Sequence, residues 1–158
     1  MTAPSGSDPN APSIRPMTEP ETSTVAALWY RAGKAAYPYL PGWRAMTPAL
    51  ADQVFRQHIA ANDALFVIEH AGSIVGYLAL QHSYIDRLYV DPHHQGRGYG
   101  SALLAHARRL SPQGLELHTH QQNAAARAFY ERRGFVAVRL GISPAPESAP
   151  DVEYHWRP

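Results

Sequence analysis

The sequence predicts a mixed α/β domain, and three observations carry that prediction. Apolar residues alternate along short runs rich in Val, Ile, Tyr and Phe, return at helical spacing elsewhere, and switch period in the order strand, two helices, three strands, helix, strand, helix, two strands. The run Leu88-Tyr89-Val90 ends in a loop with glycines at 96, 98 and 100, and helical spacing begins directly after it. Asn123 and Gly134 stand where a helix between them needs an N-cap and a left-handed residue past its end.

The 158 residues suffice for one domain with a real core and are too few for two. Residues 1–12 offer Pro, Ser, Gly, Asn and Asp with almost nothing to bury and are expected to form a disordered leader, with a single domain over 13–158. Residues 13–15 begin the first strand. Thr18 and Glu21 have capping-box spacing, and Val25, Leu28, Trp29 and Ala32 follow at helical intervals, so a first helix ends near 33–36. Two prolines and a glycine in 37–43 stop it. Thr47-Pro48 starts the second helix as N-cap and first residue, and Ala51, Phe55 and Ile59 form its apolar face.

Past Asn62-Asp63 the period changes to that of strands at 65–69, 73–80 and 84–90, the last two close enough in sequence to be antiparallel. The helix at 101–110 buries Leu103, Leu104, Ala107 and Leu110. A short strand at 115–119, a helix from Asn123 to Arg133, and closing strands at 135–140 and 152–156 complete the chain.

Composition narrows the function. Apolar residues make up 45% and charged residues 17%, as in an ordinary soluble protein, and a formal net charge of +1 argues against nucleic-acid binding by phosphate neutralisation. There is no cysteine, which excludes disulfides, thiolate metal sites and a cysteine nucleophile. No apolar run approaches membrane-spanning length and the N-terminus lacks a signal-peptide pattern, so a cytoplasmic location without membrane association is expected.

The glycine loop is the strongest chemical signal. Glycines let the backbone turn its N–H groups toward one point, and the first turn of the next helix adds unpaired N–H groups and a positive dipole end, so the loop is suited to a phosphate or pyrophosphate. A Walker loop needs a Gly-Lys-Ser/Thr ending, which is missing, and the dinucleotide fingerprint fails because the third glycine comes one residue early. What fits is Gln95-x-x-Gly98-x-Gly100. Together with Asn123-Ala124-Ala125-Ala126-Arg127-Ala128-Phe129-Tyr130-Glu131 and Gly134-Phe135, it resembles the GNAT superfamily of acyl-CoA-dependent N-acyltransferases, and the element order matches from about residue 13 to the C-terminus.

The resemblance implies the GNAT fold: a mostly antiparallel mixed sheet of about seven strands, splayed between the fourth and fifth and flanked by four helices. It implies acetyl-CoA as acyl donor, with its pyrophosphate on Gln95, Gly96, Arg97, Gly98, Tyr99, Gly100 and Ser101, its pantetheine arm along the backbone of Leu88 and Val90, and a weaker contact from Asn123. Tyr130 is implied near the CoA sulfur, where a neutral phenol can give a proton or hydrogen bond to the departing thiolate. The loop aromatics Tyr37, Tyr39 and Trp43 either pack under their connector or border the acyl acceptor.

The general base is open. Strand alternation puts Asp86 on the face of Leu88 and Val90 unless a bulge intervenes, as a base acting through water or as a partner of Arg87. His118 and His120 share a strand face and can contact acceptor or relay a proton, and no third ligand for a metal is indicated, so none is expected. Arg108-Arg109 and Arg132-Arg133 read as solvated helix ends. The expected activity is direct transfer of an acetyl group to a primary amine of a small molecule or peptide N-terminus in a ternary complex. The alternatives are a non-catalytic acyl-CoA sensor on the same fold and a transferase of longer acyl groups. The closing strands near Trp156 leave a homodimer open.

Overall fold

The structure is a computed structural model that describes residues 10–158; the expected leader lies largely outside the described residues. Its seven strands are β1 (Ser13–Pro16), β2 (Ala64–His70), β3 (Ser73–Gln81), β4 (Tyr84–Val90), β5 (Leu115–His120), β6 (Val136–Ile142) and β7 (Pro150–Trp156). They form one sheet in the order β1-β2-β3-β4-β5-β7-β6, antiparallel throughout except for the parallel pair β4 and β5. The helices are α1 (Thr22–Ala36), α2 (Pro41–Ala45), α3 (Pro48–Val54), α4 (Tyr99–Leu110) and α5 (Ala124–Glu131). The antiparallel pairs β2–β3, β3–β4 and β6–β7 follow directly in sequence, whereas β1–β2 and β5–β7 close over intervening elements and the parallel step from β4 to β5 has α4 as its crossover.

The sheet is covered on both faces. Val25, Leu28 and Trp29 of α1 pack with Trp43, Phe55 and Ile59 onto Val67 and Tyr77. On the other face Leu103, Leu104 and Ala107 of α4 join Tyr130 and Phe135 over Leu78, Ile85, Leu117 and Tyr154. Gly76 on β3 lets α4 settle closely, because a Cβ there would stand 2.8 Å from Tyr89 O and 3.3 Å from Leu103. Such burial on two faces is the main stabilising term of the domain.

The structure adds detail that the periodicity does not carry. The Thr18–Glu21 capping box is present but caps a single 3-10 turn (Glu19–Glu21) before α1. The second expected helix is divided: Thr47 caps it, accepting from Leu50 N at 3.2 Å, and past Val54 it widens into π-type turns over Phe55–Ala60. The connector 37–43 contains the start of α2, a fifth helix beyond the four expected. Its first residue is Pro41, whose fixed φ suits that position. On the outer strand β6, Val136, Val138, Leu140 and Ile142 are exposed, whereas Trp156 is half-buried with the Arg108 guanidinium 4.7 Å above its ring.

Trp43 explains a glycine in α1. A Cβ on Gly33 would fall 2.0 Å from the Trp43 ring, which meets Trp29 edge-on at 5.0 Å. Gly33→Ala is therefore expected to cost roughly 1–3 kcal/mol by overpacking, read as a drop of several degrees in Tm. Gly42→Ala, with nothing within 4 Å of the new methyl, is the control that should leave Tm in place.

Candidate active site

The site begins where β4 and β5 part. They share only the pairs Tyr84↔Glu116 and Ile85↔Leu117, so β4 from Asp86 onward has a neighbour on one side alone. Asp91 N donates to Val75 O at 2.8 Å on the β3 side. Successive residues of a strand turn their backbone groups to opposite sides, so Val90 and Leu88 present theirs to the opening. Gln95 Nε2 reaches Val90 O at 3.4 Å.

Asp91 anchors the loop that follows. It accepts from His93 N at 3.1 Å and from Arg31 Nη2 at 2.5 Å. Burial alone would raise its pKa, yet the Arg31 guanidinium and the His93 N–H hold it below the ordinary carboxylate value. Gly98, at φ 86°, is the left-handed N-cap of α4. Gly100 serves close approach instead, since a Cβ there would stand 3.3 Å from the Phe129 ring. Among the described residues the N–H groups of Tyr99, Gly100 and Ser101 meet no acceptor, and they open toward the cavity at the positive end of α4.

One cavity of about 1750 Å³ runs from this loop along the open edge of β4 to the far side of the sheet. Leu88, Val90, Gln95, Gly96, Gly98, Gly100, Ser101 and Asn123 all line it. Arg97 is exposed and does not. Tyr99 offers the cavity little of its side chain, because its ring is buried in the core and its hydroxyl pairs with His70 Nδ1. Asn123 acts as the N-cap of α5, accepting from Ala126 N at 3.0 Å.

Two arginines expected as solvated helix ends are held instead. Arg133 donates to Ser101 Oγ at 3.1 and 2.7 Å, lies 3.8 Å over the Phe129 ring and lines the cavity beside the N–H groups of α4. Arg108 donates to Arg133 O and covers Trp156. Periodicity could not find Arg133, because its role depends on α4 and α5 meeting at Gly100.

Tyr130 lines the middle of the same cavity. Its ring is buried, edge-on to Phe129 and Phe135 at 5.1 and 5.3 Å. Its hydroxyl has no hydrogen-bond partner among the described residues. Burial pushes this phenol well above its ordinary pKa, with Tyr37 acting in the same direction, so it stays protonated throughout the neutral range.

The far end collects aromatics and acids. Tyr37, Trp43 and His118 line the main cavity, and Tyr39 borders an adjoining one of about 300 Å³ with His120 and Glu147. Trp43 also belongs to the core. His118 pairs with Tyr84 OH at 2.8 Å and Glu153 at 3.3 Å, and His120 with Glu147 at 3.1 Å, so each histidine faces a carboxylate. Asp151, Glu153 and Glu147 were not anticipated here; the only sequence signal was two acids at alternate positions of the last strand. Among the described residues no group of three or more metal-ligating side chains converges.

The placement of Asp86 corrects the alternation argument. The register slips between the pairs Ala79↔Arg87 and Leu80↔Ile85, leaving Asp86 as the extra residue of a β-bulge. The slip removes the parity that placed Asp86 with Leu88 and Val90. Asp86 still lines the cavity, and its carboxylate lies 3.6 Å from Arg87 Nη1.

A splayed sheet, an open strand edge and a glycine-loop helix start lie along one cavity, an arrangement suited to an anionic, amide-bearing ligand. The family described as Acetyltransferase (GNAT) domain matches residues 61–137. The peptidyl-lysine N-acetyltransferase YjaB of Salmonella typhimurium is 27% identical over 122 residues, covering 77% of this chain and 81% of that protein. The solution structure of apo YjaB from Escherichia coli superposes with a TM-score of 0.78 at 24% identity, covering 92% of this chain and 97% of that one. YncA of Salmonella typhimurium, solved with acetyl-CoA, superposes with a TM-score of 0.65 at 18% identity over 94% of each chain. Residues 61–137 thus form a GNAT acetyltransferase domain, and the fold around them is the one seen in YjaB and YncA.

Gly98→Ala tests the loop. A methyl group in the left-handed region costs about 1–2 kcal/mol, and it turns the N–H groups of 99–101 off their common target. CoA affinity by calorimetry is expected to fall at least tenfold while far-UV circular dichroism stays unchanged. A surface turn without a ligand would lose stability alone.

Proposed function

We propose that this protein is an N-acetyltransferase that moves the acetyl group of acetyl-CoA to a primary amine by direct transfer within a ternary complex. The observation that carries the reading is the alignment of three features along one cavity: the N–H groups at the start of α4, the free backbone edge of Leu88 and Val90, and the buried phenol of Tyr130.

The chemistry follows that order. Pyrophosphate sits on the N–H groups of 98–101 with Arg133 beside it, and the amide-rich pantetheine arm pairs with β4 as an added strand. The thioester then lies near Tyr130, with a β4 N–H available to polarise its carbonyl oxygen. The amine enters from the acid-lined end, where Asp86, Asp151, Glu153 and Glu147 favour a cationic ammonium. Its nitrogen, once neutral, forms the C–N bond, the C–S bond breaks, the thiolate takes its proton from Tyr130, and the proton shed by the new amide nitrogen restores the phenol.

The acceptor class we favour is an alkylammonium, including the side chain of a peptidyl lysine. The acidic end of the cavity supports it, as does the activity named for the YjaB relative. Tyr37, Tyr39 and Trp43 supply apolar walls for the carbon chain.

Tyr130→Phe is expected to lower kcat roughly a hundredfold or more, measured as free-thiol release against an amine panel, with acetyl-CoA affinity unchanged. Wild-type protein that binds acetyl-CoA and releases no thiol with any amine would instead be a sensor.

A further inference from the structure

Three buried polar atoms without hydrogen-bond partners gather beneath the Asp86 bulge: Asp63 Oδ2, Tyr77 OH and Arg87 Nε. Asp63 ends the turn after the π-type turns, where its N–H donates to Ile59 O at 2.9 Å, and stands just before β2. Its other oxygen, Oδ1, accepts from Gln81 Nε2 at 2.7 Å. That leaves Oδ2 buried without a hydrogen-bond partner among the described residues, on the side of Asp86 across the small residue Ala79 of the intervening strand. Two half-buried carboxylates brought together there repel, and a proton between them relieves the repulsion.

We infer that Asp63 shares a proton with Asp86 and thereby sets Asp86 as the base that deprotonates the incoming ammonium, Asp63 being a positioning residue that never meets substrate. The inference rests on the N-acetyltransferase reading above. Asp63 does not line the cavity and Asp86 does, so the proton leaves the ammonium nitrogen for Asp86, directly or through one water, and is retained between the two carboxyls. The freed lone pair makes the C–N bond, and the pair returns its proton to solvent after product leaves.

The surroundings agree. Burial and the neighbouring Asp86 push the Asp63 carboxyl up to about 7, against the opposing pull of the Gln81 hydrogen bond and the Arg87 charge. The titratable and charged groups facing the pair are Arg87 and Tyr84 on β4, Tyr77 on β3 and, beyond Tyr77, Tyr37 at the end of α1. Arg87 keeps the doubly ionised pair attainable, while Tyr77 adds no charge in the neutral range because burial raises its phenol further. A base poised near neutrality is best matched to an enzyme working there.

The sign for stability follows. A carboxyl raised in the fold favours folding fully below its unfolded value, and that contribution is lost as pH rises from about 4 to about 7. The Tm advantage of Asp63→Asn over wild type is therefore expected to grow across that interval and to level off above it.

The decisive experiment is carbon-13 NMR of the Asp side-chain carboxyls against pH in the ligand-free protein, paired with the pH dependence of kcat/KM. Wild type should show the Asp63 carboxyl titrating near neutrality, coincident with the acid limb of the rate. In Asp63→Asn, whose amide can still donate to Asp86, that step should vanish, the acid limb should move down by about one pH unit or more, and the plateau should fall several-fold. Gln81→Leu, which removes a donor from Asp63, should move the Asp63 step upward and serves if Asp63→Asn does not fold. An Asp63 titration near the ordinary aspartate value, or an acid limb unmoved in a folded Asp63→Asn, would overturn the inference. Absence of transfer to any amine would count against the enzymatic reading alone, since the NMR titration needs no substrate.

Discussion

Everything at this site depends on the early parting of two parallel strands. β4 and β5 hold together for two residue pairs, while β5 pairs with β7 over its whole length from Leu115↔Trp156 to His120↔Asp151. The stronger antiparallel ladder takes β5 away from β4, and the backbone of β4 beyond Ile85 is left with no strand partner on that side. An unpaired edge in a sheet interior is costly unless something pairs with it. Here the opening is flanked by the N-terminus of α4 and by α5, so the gap is a built cavity and not a defect of packing.

The cavity is electrically divided. One end carries N–H groups, the positive end of α4 and Arg133; the other carries Asp86, Asp151, Glu153 and Glu147, four acids against the two arginines Arg87 and Arg139. A net charge of +1 conceals this division. In the reaction proposed above, such a division would draw a polyanionic donor and a cationic acceptor to opposite ends and bring them together at Tyr130, which would reduce the entropic cost of assembling a ternary complex.

The sequence made the fold legible because its signals are local. Strand and helix periods, the Thr47 and Asn123 caps, and the positive-φ glycines at 98 and 134 all act within a few residues of where they stand. The site was legible wherever a loop motif sets it, as at Gln95 to Ser101, and illegible wherever distant elements meet. Arg133 reads as a helix end until Ser101 and Phe129 come under it. Tyr99 lies inside the loop motif, yet its ring follows the helical apolar face into the core. Asp86 shows the limit most clearly, since one extra residue in β4 removes the parity on which an alternation argument depends. Glu147 and Glu153 reach the cavity only because β7 lies next to β5, a pairing that no local pattern announces.

The distribution of buried polar atoms supports a functional reading of that bulge. A buried donor or acceptor without a partner costs about 1–3 kcal/mol, so folds rarely keep several together. Asp63 Oδ2, Tyr77 OH and Arg87 Nε are three such atoms near Asp86, and the Tyr130 hydroxyl faces the cavity without a partner among the described residues. Apolar residues of similar size would remove these costs, as Phe55, Leu78 and Leu103 do in the surrounding core. The three unmet groups under Asp86 lie beside the open edge of β4, where in the proposed reaction an ammonium would lose a proton and a thiolate would gain one. A sheet that had to hold both events would give up stability there, and the two cores on its faces would offset the loss.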